Sequence, residues 1–305
     1  MQTSRARRAV ALLAGLALVG AACGGDDSSS DTTAAPAETE APTETEAPTE
    51  TEAPMETEAP AEGGGELAGM KGTTPKGADV ADWITGVNEF WVAEGNAELT
   101  DFNYAAESYD AVIQIALAVE KAGTDGSAHA AEIVGISGEG EKCTTYADCL
   151  AIIEAGGDPD YDGISGPQDF NGNGEPLKGS YAVLTFGEDN RLTDEETLLT
   201  AESPASSIVD LVPVGVEREG DGVLKIGSLL PETGSLAFLG PPEFAGVEFA
   251  IKEINDLGGV LGAPIEYSQG DSGDTTTDIA SQTSDRLISE GVDAIIGAAS
   301  SGVTL

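Results

Sequence analysis

The sequence predicts an α/β fold in which a parallel sheet is flanked by helices. Two observations carry this reading. Residues 223–296 alternate strand, helix, strand, helix, strand, an order that requires parallel pairing with right-handed crossovers. In Tyr109–Val119 (YDAVIQIALAV) the apolar residues nearly surround the helical wheel, which marks a deeply buried helix rather than a surface one.

The chain opens with a leader. Arg5, Arg7 and Arg8 form a basic start, and Ala9–Ala22 is an apolar stretch too short to span a bilayer but suited to a signal-peptide core. It ends Val19-Gly20-Ala21-Ala22-Cys23, which resembles a bacterial lipobox with Gly20 where leucine is usual. The resemblance implies removal of residues 1–22 and lipidation of Cys23. A lipid there would hold the protein on the outer face of the cytoplasmic membrane by its buried methylenes. An ordinary cleaved signal with an incidental cysteine is the alternative. Residues 23–66 continue as an acidic stalk, where AETEAPTETEAPTETEAPMETEAP repeats every six residues. Proline and glutamate prevent a packed core there, and like charges extend the chain.

Helices are expected over Val80–Trp91 and Ser108–Lys121, the second closed by Gly123. Short helices follow at Ala128–Ile136 and Tyr146–Ala155. Asp160–Asp169 and Ser180–Phe186 read as strands joined through Asn171-Gly172-Asn173-Gly174 as a hairpin. Ala201–Val216 reads as a tail into the next piece. Val223–Leu230 is then a buried strand, with a turn at Thr233-Gly234-Ser235. Phe244–Ile254 is a helix stopped at Asn255–Gly259, Pro264–Tyr267 a strand, Thr277–Ile288 a helix and Ala294–Ile296 a strand.

The chain has 305 residues, 55 acidic against 13 basic, for a formal net charge of −42. A surface this acidic repels phosphates and excludes nucleic acid as a partner. Cys143 and Cys149 form an even pair, which outside the cytoplasm points to a disulfide closing a small loop. Their spacing is too wide for a CxxC redox site, and with His129 the only histidine no zinc set is present. His129 reads as solvated. Asp158, Asp160 and Asp162 carry the D-x-D-x-D-G spacing of a calcium loop, with Asp169 at the twelfth position. An aspartate there instead of a bidentate glutamate, with a strand following instead of a helix, argues for a plain helix-to-strand turn. No Ser–His–Asp motif, phosphate loop or dinucleotide fingerprint appears, so neither an enzyme nor a cofactor is expected.

Two stretches resemble the branched-chain amino-acid-binding family of ABC importers, which has the type I periplasmic-binding fold. KIGSLLPETGSLAFLGPPEFAGVEFAIKEINDLGGVLG and GDSGDTTTDIASQTSDRLISEGVDAIIGAASSGVTL, within residues 217–305, are similar to the family's beginning. GTTP, YAAESYDAVIQIALAVEKAGTDG, CTTYADCLAIIEAGG and DYDGISGPQDF, within residues 67–216, are similar to its end. The end-like piece comes first, and the family's middle is absent. A fragment, a fusion of tandem copies with an internal loss, and a circular permutant are the three readings of that order.

The resemblance implies capture of a branched-chain amino acid for a membrane permease, by closure of two lobes. It also implies a site. Ligands in such sheets sit beyond the carboxyl ends of the strands. Ser301 matches the family's ligand-holding serine, with Ala299 and Ser300 beside it, and Leu239 matches a side chain near the ligand's apolar part. By spacing alone, Ser300-Ser301 is an ordinary strand-to-helix N-cap. The rival readings are a ligand sensor or surface interaction protein on the same scaffold, and, less in keeping with these motifs, an enzyme.

Overall fold

The computed structural model describes residues 65–75, 80–171, 174–202 and 217–304. The leader, Cys23, nearly all of the stalk and the tail at 203–216 lie outside the described residues.

The expected parallel sheet is present. It is built from β7 (Lys225–Leu229), β8 (Glu266–Ser268) and β9 (Ala294–Gly297), in the order β8-β7-β9 and parallel throughout. The helices α4 (Gly240–Asp256) and α5 (Ile279–Glu290) make the two crossovers. α4 opens with Pro241 and Pro242, whose missing N–H groups cost nothing in a first turn. α5 stops at Gly291, which takes the left-handed conformation (φ 77°) that a helix end asks of glycine. Successive strand residues face opposite ways. Gly227 therefore meets the Leu287 side chain of α5, while Ile226 joins the main core.

That core is completed from the earlier segment. α1 (Ala81–Ala93) places Trp83, Val87 and Trp91 on one stripe at i, i+4 and i+8. α2 (Ala105–Ala122) is buried over almost its whole circumference, as the sequence predicts, and closes at Gly123 (φ 68°). α2 packs on α4 closely enough that a Cβ on Gly246 would stand 2.1 Å from the Ala105 carbonyl oxygen. Phe90 and Phe249 join α1 to α4 with ring centroids 5.5 Å apart. Val112, Ile113, Leu117 and Tyr161 from one segment and Ile226, Val247 and Ile254 from the other thus bury each other in one cluster.

Polar clasps reinforce the seam. The Tyr146 hydroxyl donates to the Gly259 carbonyl at 3.1 Å, and the Leu261 N–H to Glu120 Oε1 at 2.7 Å. Asp125 accepts from the Asp221 and Gly222 N–H groups at 2.9 and 2.8 Å.

Two smaller sheets complete the described residues. β1 (Lys71–Pro75), β5 (Lys178–Phe186) and β6 (Leu192–Glu202) are antiparallel in the order β1-β5-β6. β2 (Glu141–Cys143), β3 (Pro159–Gly163) and β4 (Gly166–Pro167) form the other. α3 (Tyr146–Glu154) lies between β2 and β3, and Thr145 caps it by accepting from the Asp148 N–H at 3.1 Å.

Several expectations are corrected. Residues 160–169 are not one strand, and they do not pair with 180–186. Asp110 of α2 takes the N–H groups of Ile164 and Ser165 at 3.0 and 2.8 Å, which stops β3 and turns the chain back as β4. Residues 128–136 form two short 3₁₀ turns, Ser127–Ala131 and Ile133–Ile136, rather than a helix. His129 is buried, not solvated, and its Nδ1–H donates to the Gly126 carbonyl at 2.7 Å.

Candidate functional site

Three strand-to-helix loops gather at the carboxyl edge of the parallel sheet. The loop after β7 carries Leu239, the loop after β9 carries Ala298–Ser300, and the loop after β8 runs from Gln269 to Asp278. This third loop is the one that sequence reasoning left unassigned, and it ties the edge together. Asp271 accepts from the Glu232 and Thr233 N–H groups, each at 3.0 Å, from the Thr233 hydroxyl at 2.5 Å and from the Gly273 N–H at 2.8 Å. Asp274 accepts from the Ser235 N–H at 3.2 Å and from the N–H and hydroxyl of Thr276 at 2.9 and 2.6 Å. Burial pushes the Asp271 carboxyl up, but these donors outweigh it and hold the carboxyl below its usual range. The Thr276 and Ser235 donors lower Asp274 in the same way. The visible signal was the Asx pattern, Asp271–Gly273 and Asp274–Thr276, in which an aspartate bonds the backbone two residues on.

The four residues expected to touch ligand sit on two of these loops. Leu239 is buried at 8% exposure, directly before α4. Ala299 adopts φ 63°, an unusual left-handed conformation for a side-chain-bearing residue. Ser300 accepts from the Val303 and Thr304 N–H groups at 3.0 and 3.1 Å. It thereby starts the short turn α6 (Ser301–Thr304), on which Ser301 is exposed. The strand-to-helix junction read from spacing is therefore present. Gly302 lies against Thr275, so the third loop also reaches α6. Beside them a cleft of about 380 Å³ is lined by Leu229, Ser281, Ser284, Gly297, Ala298 and Thr304, among others. Neither Ser301 nor Leu239 lines it.

The four aspartates with calcium-loop spacing are engaged by lysines. Asp158 pairs with Lys121 at 2.6 Å, Asp160 and Asp162 with Lys142 at 2.9 and 3.0 Å, and Asp169 with Lys178. No cluster of three His, Cys, Asp or Glu side chains that could hold a metal ion occurs among the described residues. Asp160 and Asp162 lie in β3 rather than in a turning loop, and both carboxylates meet on the Lys142 ammonium. Cys143 and Cys149 are joined in a disulfide that closes the start of α3, with Cα atoms 5.3 Å apart.

Sequence reasoning also missed Glu243, in the first turn of α4. It is 3% exposed, and its Oε2 has no hydrogen-bond partner. Burial, with the Glu107 charge beside it, pushes its carboxyl up to about 8.

Comparison with known proteins places the edge in context. Residues 223–305, which contain the whole parallel sheet and its three loops, match the model of a periplasmic binding protein family. The chain is similar to Leu/Ile/Val-binding protein homolog 7 of Brucella melitensis biotype 1, at 39% identity over 108 residues, 35% of this chain and 25% of that protein. It is also similar to homolog 7 of Brucella abortus (strain 2308), at 45% identity over 80 residues, 26% of this chain and 20% of that protein. Homolog 8 of the same strain is 43% identical over 79 residues, 26% of this chain and 19% of that protein. The aligned stretch thus spans a quarter or less of the length of these curated relatives. No solved structure matches. The resemblance to branched-chain amino-acid-binding proteins read from the sequence is therefore shown over this part of the chain. No described helix is long and apolar enough to cross a membrane.

Proposed function

We propose that this chain is an extracytoplasmic solute-binding lipoprotein of an ABC importer, of the kind that captures a branched-chain or similar amino acid for a membrane permease, with the capturing fold incomplete in this chain. The observation that carries the reading is the match of residues 223–305 to the periplasmic binding protein model. Those same residues supply the sheet edge at which an open α/β sheet takes its ligand. On this reading Ser301, with Ser300 and Ala299, holds the α-carboxylate and α-amino groups, and Leu239 lies near the apolar side chain. Cys23 carries the lipid, the stalk keeps the binding portion clear of the membrane surface, and no catalytic chemistry is involved.

The shared core supports reading the two segments as parts of one lobe. On this reading residues 67–216, which hold α1, α2 and α3, and residues 217–305, which hold the parallel sheet, make up a partial lobe in permuted or fragmentary order. A non-transport sensor on the same scaffold would be favoured by a closed sheet. Among the described residues β9 pairs only with β7, which favours a lobe that works against further structure.

Thermal unfolding with and without millimolar leucine, isoleucine and valine tests the proposal. Ligand that binds only the native state raises the midpoint. With the family's middle absent, a small rise or none is the expected result; a large rise with one of the three, abolished in Ser301→Ala, would mean a working site in this chain alone. A transition unmoved by all three would reject capture by this chain alone.

A further inference from the structure

A second cleft lies away from the residues assigned to the amino acid. It sits where the end of α1 and the following loop meet the start of α4, has a volume of about 330 Å³, and falls in the size range of small-molecule sites. Trp91, Phe238, Pro241 and Pro242 supply apolar wall, and Glu98 and Asp101 supply carboxylates. Neither Leu239 nor Ala299–Ser301 lines it. Phe238 is 63% exposed, so its ring is open to solvent at the cleft.

The charge around this cleft is one-sided. The sequence has no lysine or arginine between Lys76 and Lys121, and none between Lys225 and Lys252. Both walls come from those two stretches. Asp101 is tied to Asn103 by hydrogen bonds of 3.0 and 3.1 Å, which fix a carboxylate at the cleft without neutralising it. Glu243, next to the lining residue Pro242, is buried with Oε2 unpartnered. Across the same helices burial and the neighbouring Glu94 raise Glu248, as burial and Glu107 raise Glu243. Among the described residues no lysine or arginine forms an ion pair with Glu98 or Asp101.

Aromatic rings beside carboxylates without an ion-pair partner are what a soft cation seeks. The ring quadrupole attracts positive charge, and the attraction grows as the cation is desolvated. An anion would be repelled, and a neutral ligand would gain only the apolar contact. We infer that this cleft binds a small organic cation, an amine or methylated ammonium head group, against Phe238 and Trp91 with Glu98 and Asp101 balancing its charge. The inference is independent of amino-acid capture, because it uses none of the same residues.

The protein reports on this cleft itself, since Trp83 and Trp91 are its two tryptophans. Trp83→Phe leaves Trp91 as the sole indole. It also removes a buried Nε1–H that has no acceptor, so the fold should be retained. The full chain carrying this change is titrated with tetramethylammonium chloride. Sodium chloride at matched ionic strength and tert-butyl alcohol, a neutral molecule of similar shape, are the controls. The expected result is a saturable change in Trp91 fluorescence with tetramethylammonium only, weakened by added salt. Phe238→Ala, at an exposed position, should weaken it about fivefold, and Glu98→Gln should weaken it too. Circular dichroism confirms that each variant is folded. A response that is linear, shared by the controls, or indifferent to Phe238→Ala would overturn the inference. So would the absence of any fluorescence or calorimetric signal up to roughly 100 mM, the weakest binding that a single cation–π contact with screened carboxylates should give.

Discussion

The Tyr109 hydroxyl donates to Glu253 Oε2 at 2.6 Å and so ties α2 to α4 across 144 positions of sequence. Burial, then the bond to Glu253, raises the phenol far above its ordinary range, so it stays protonated and remains the donor. Tyr109→Phe keeps the ring packing with Trp83 and Phe249 and deletes only this bond. The half-buried Glu253 can then recover water, so the expected cost is about 1–2 kcal/mol. Urea unfolding should show it as a lower midpoint of one shared transition. Two separate transitions, with only one displaced, would mean that the segments fold independently.

The same helix pair makes a sharper prediction at Gly246. Its missing Cβ would lie 2.1 Å from the Ala105 carbonyl oxygen and 3.2 Å from the Tyr109 nitrogen. Those atoms are backbone, so no rotamer change can make room. Gly246→Ala must push α2 away from α4 and open the core between them. A loss of at least about 2 kcal/mol is expected, despite alanine's better helix propensity. An unchanged denaturation midpoint would disprove the close approach.

Which parts were legible in the sequence follows from how local their causes are. The order β7-α4-β8-α5-β9 depends on short apolar runs and capping glycines, and α2 on a helix apolar almost all round. Both could be read without knowing their partners. β1 (KGTTP) has no alternating apolar residues and becomes a strand only because β5 lies beside it. The break after Gly163 was invisible because its cause, Asp110, lies more than fifty positions earlier. His129 looked solvated because its burial depends on the surrounding 3₁₀ turns. At the candidate site the two loops were legible by resemblance, while the Asp271 and Asp274 contacts join residues nearly forty positions apart.

Asp110 should be among the costliest single losses. It is buried and accepts from the Tyr161 hydroxyl at 2.7 Å, the Ser165 hydroxyl at 2.6 Å and two backbone N–H groups. Burial raises its carboxyl, and these four donors oppose the rise. Asp110→Ala leaves several donors buried and unpaired at once, each costing about 1–3 kcal/mol. A combined loss of 3 kcal/mol or more is therefore expected, with the β3–β4 turn losing hydrogen-exchange protection first. Retained protection at Ile164 and Ser165 would contradict the role given to Asp110.

The loops at the sheet edge should loosen in acid. Asp271 and Asp274 have lowered carboxyls, so the folded state holds fewer protons than the unfolded one near their ordinary value of 3.8. Their contribution is present above that pH and disappears as the pH falls through the lowered values. Asp271→Ala should remove the Asp271 part of this dependence and also weaken any response to leucine, since the loop bearing Leu239 loses its tie. If the acid limb of the stability profile is the same in wild type and Asp271→Ala, these contacts do not support the edge.

Glu243 predicts the opposite slope. Its carboxyl is raised from 4.5 to about 8 by burial and by Glu107, so the folded state retains a proton that the unfolded chain has released. Stability from this group is complete below about pH 4.5, falls as the pH rises towards 8, and is lost beyond it. Glu243→Gln keeps the shape and never ionises. At pH 9 it should be more stable than wild type by at least ~1 kcal/mol. At pH 5, where the wild-type carboxyl is already neutral in the folded state, the gain should shrink to near zero. Unfolding midpoints of the two proteins from pH 5 to 9 decide the matter. Parallel curves would mean that Glu243 is solvated or paired, and would remove the strongest sign that this end of α4 lacks a cation.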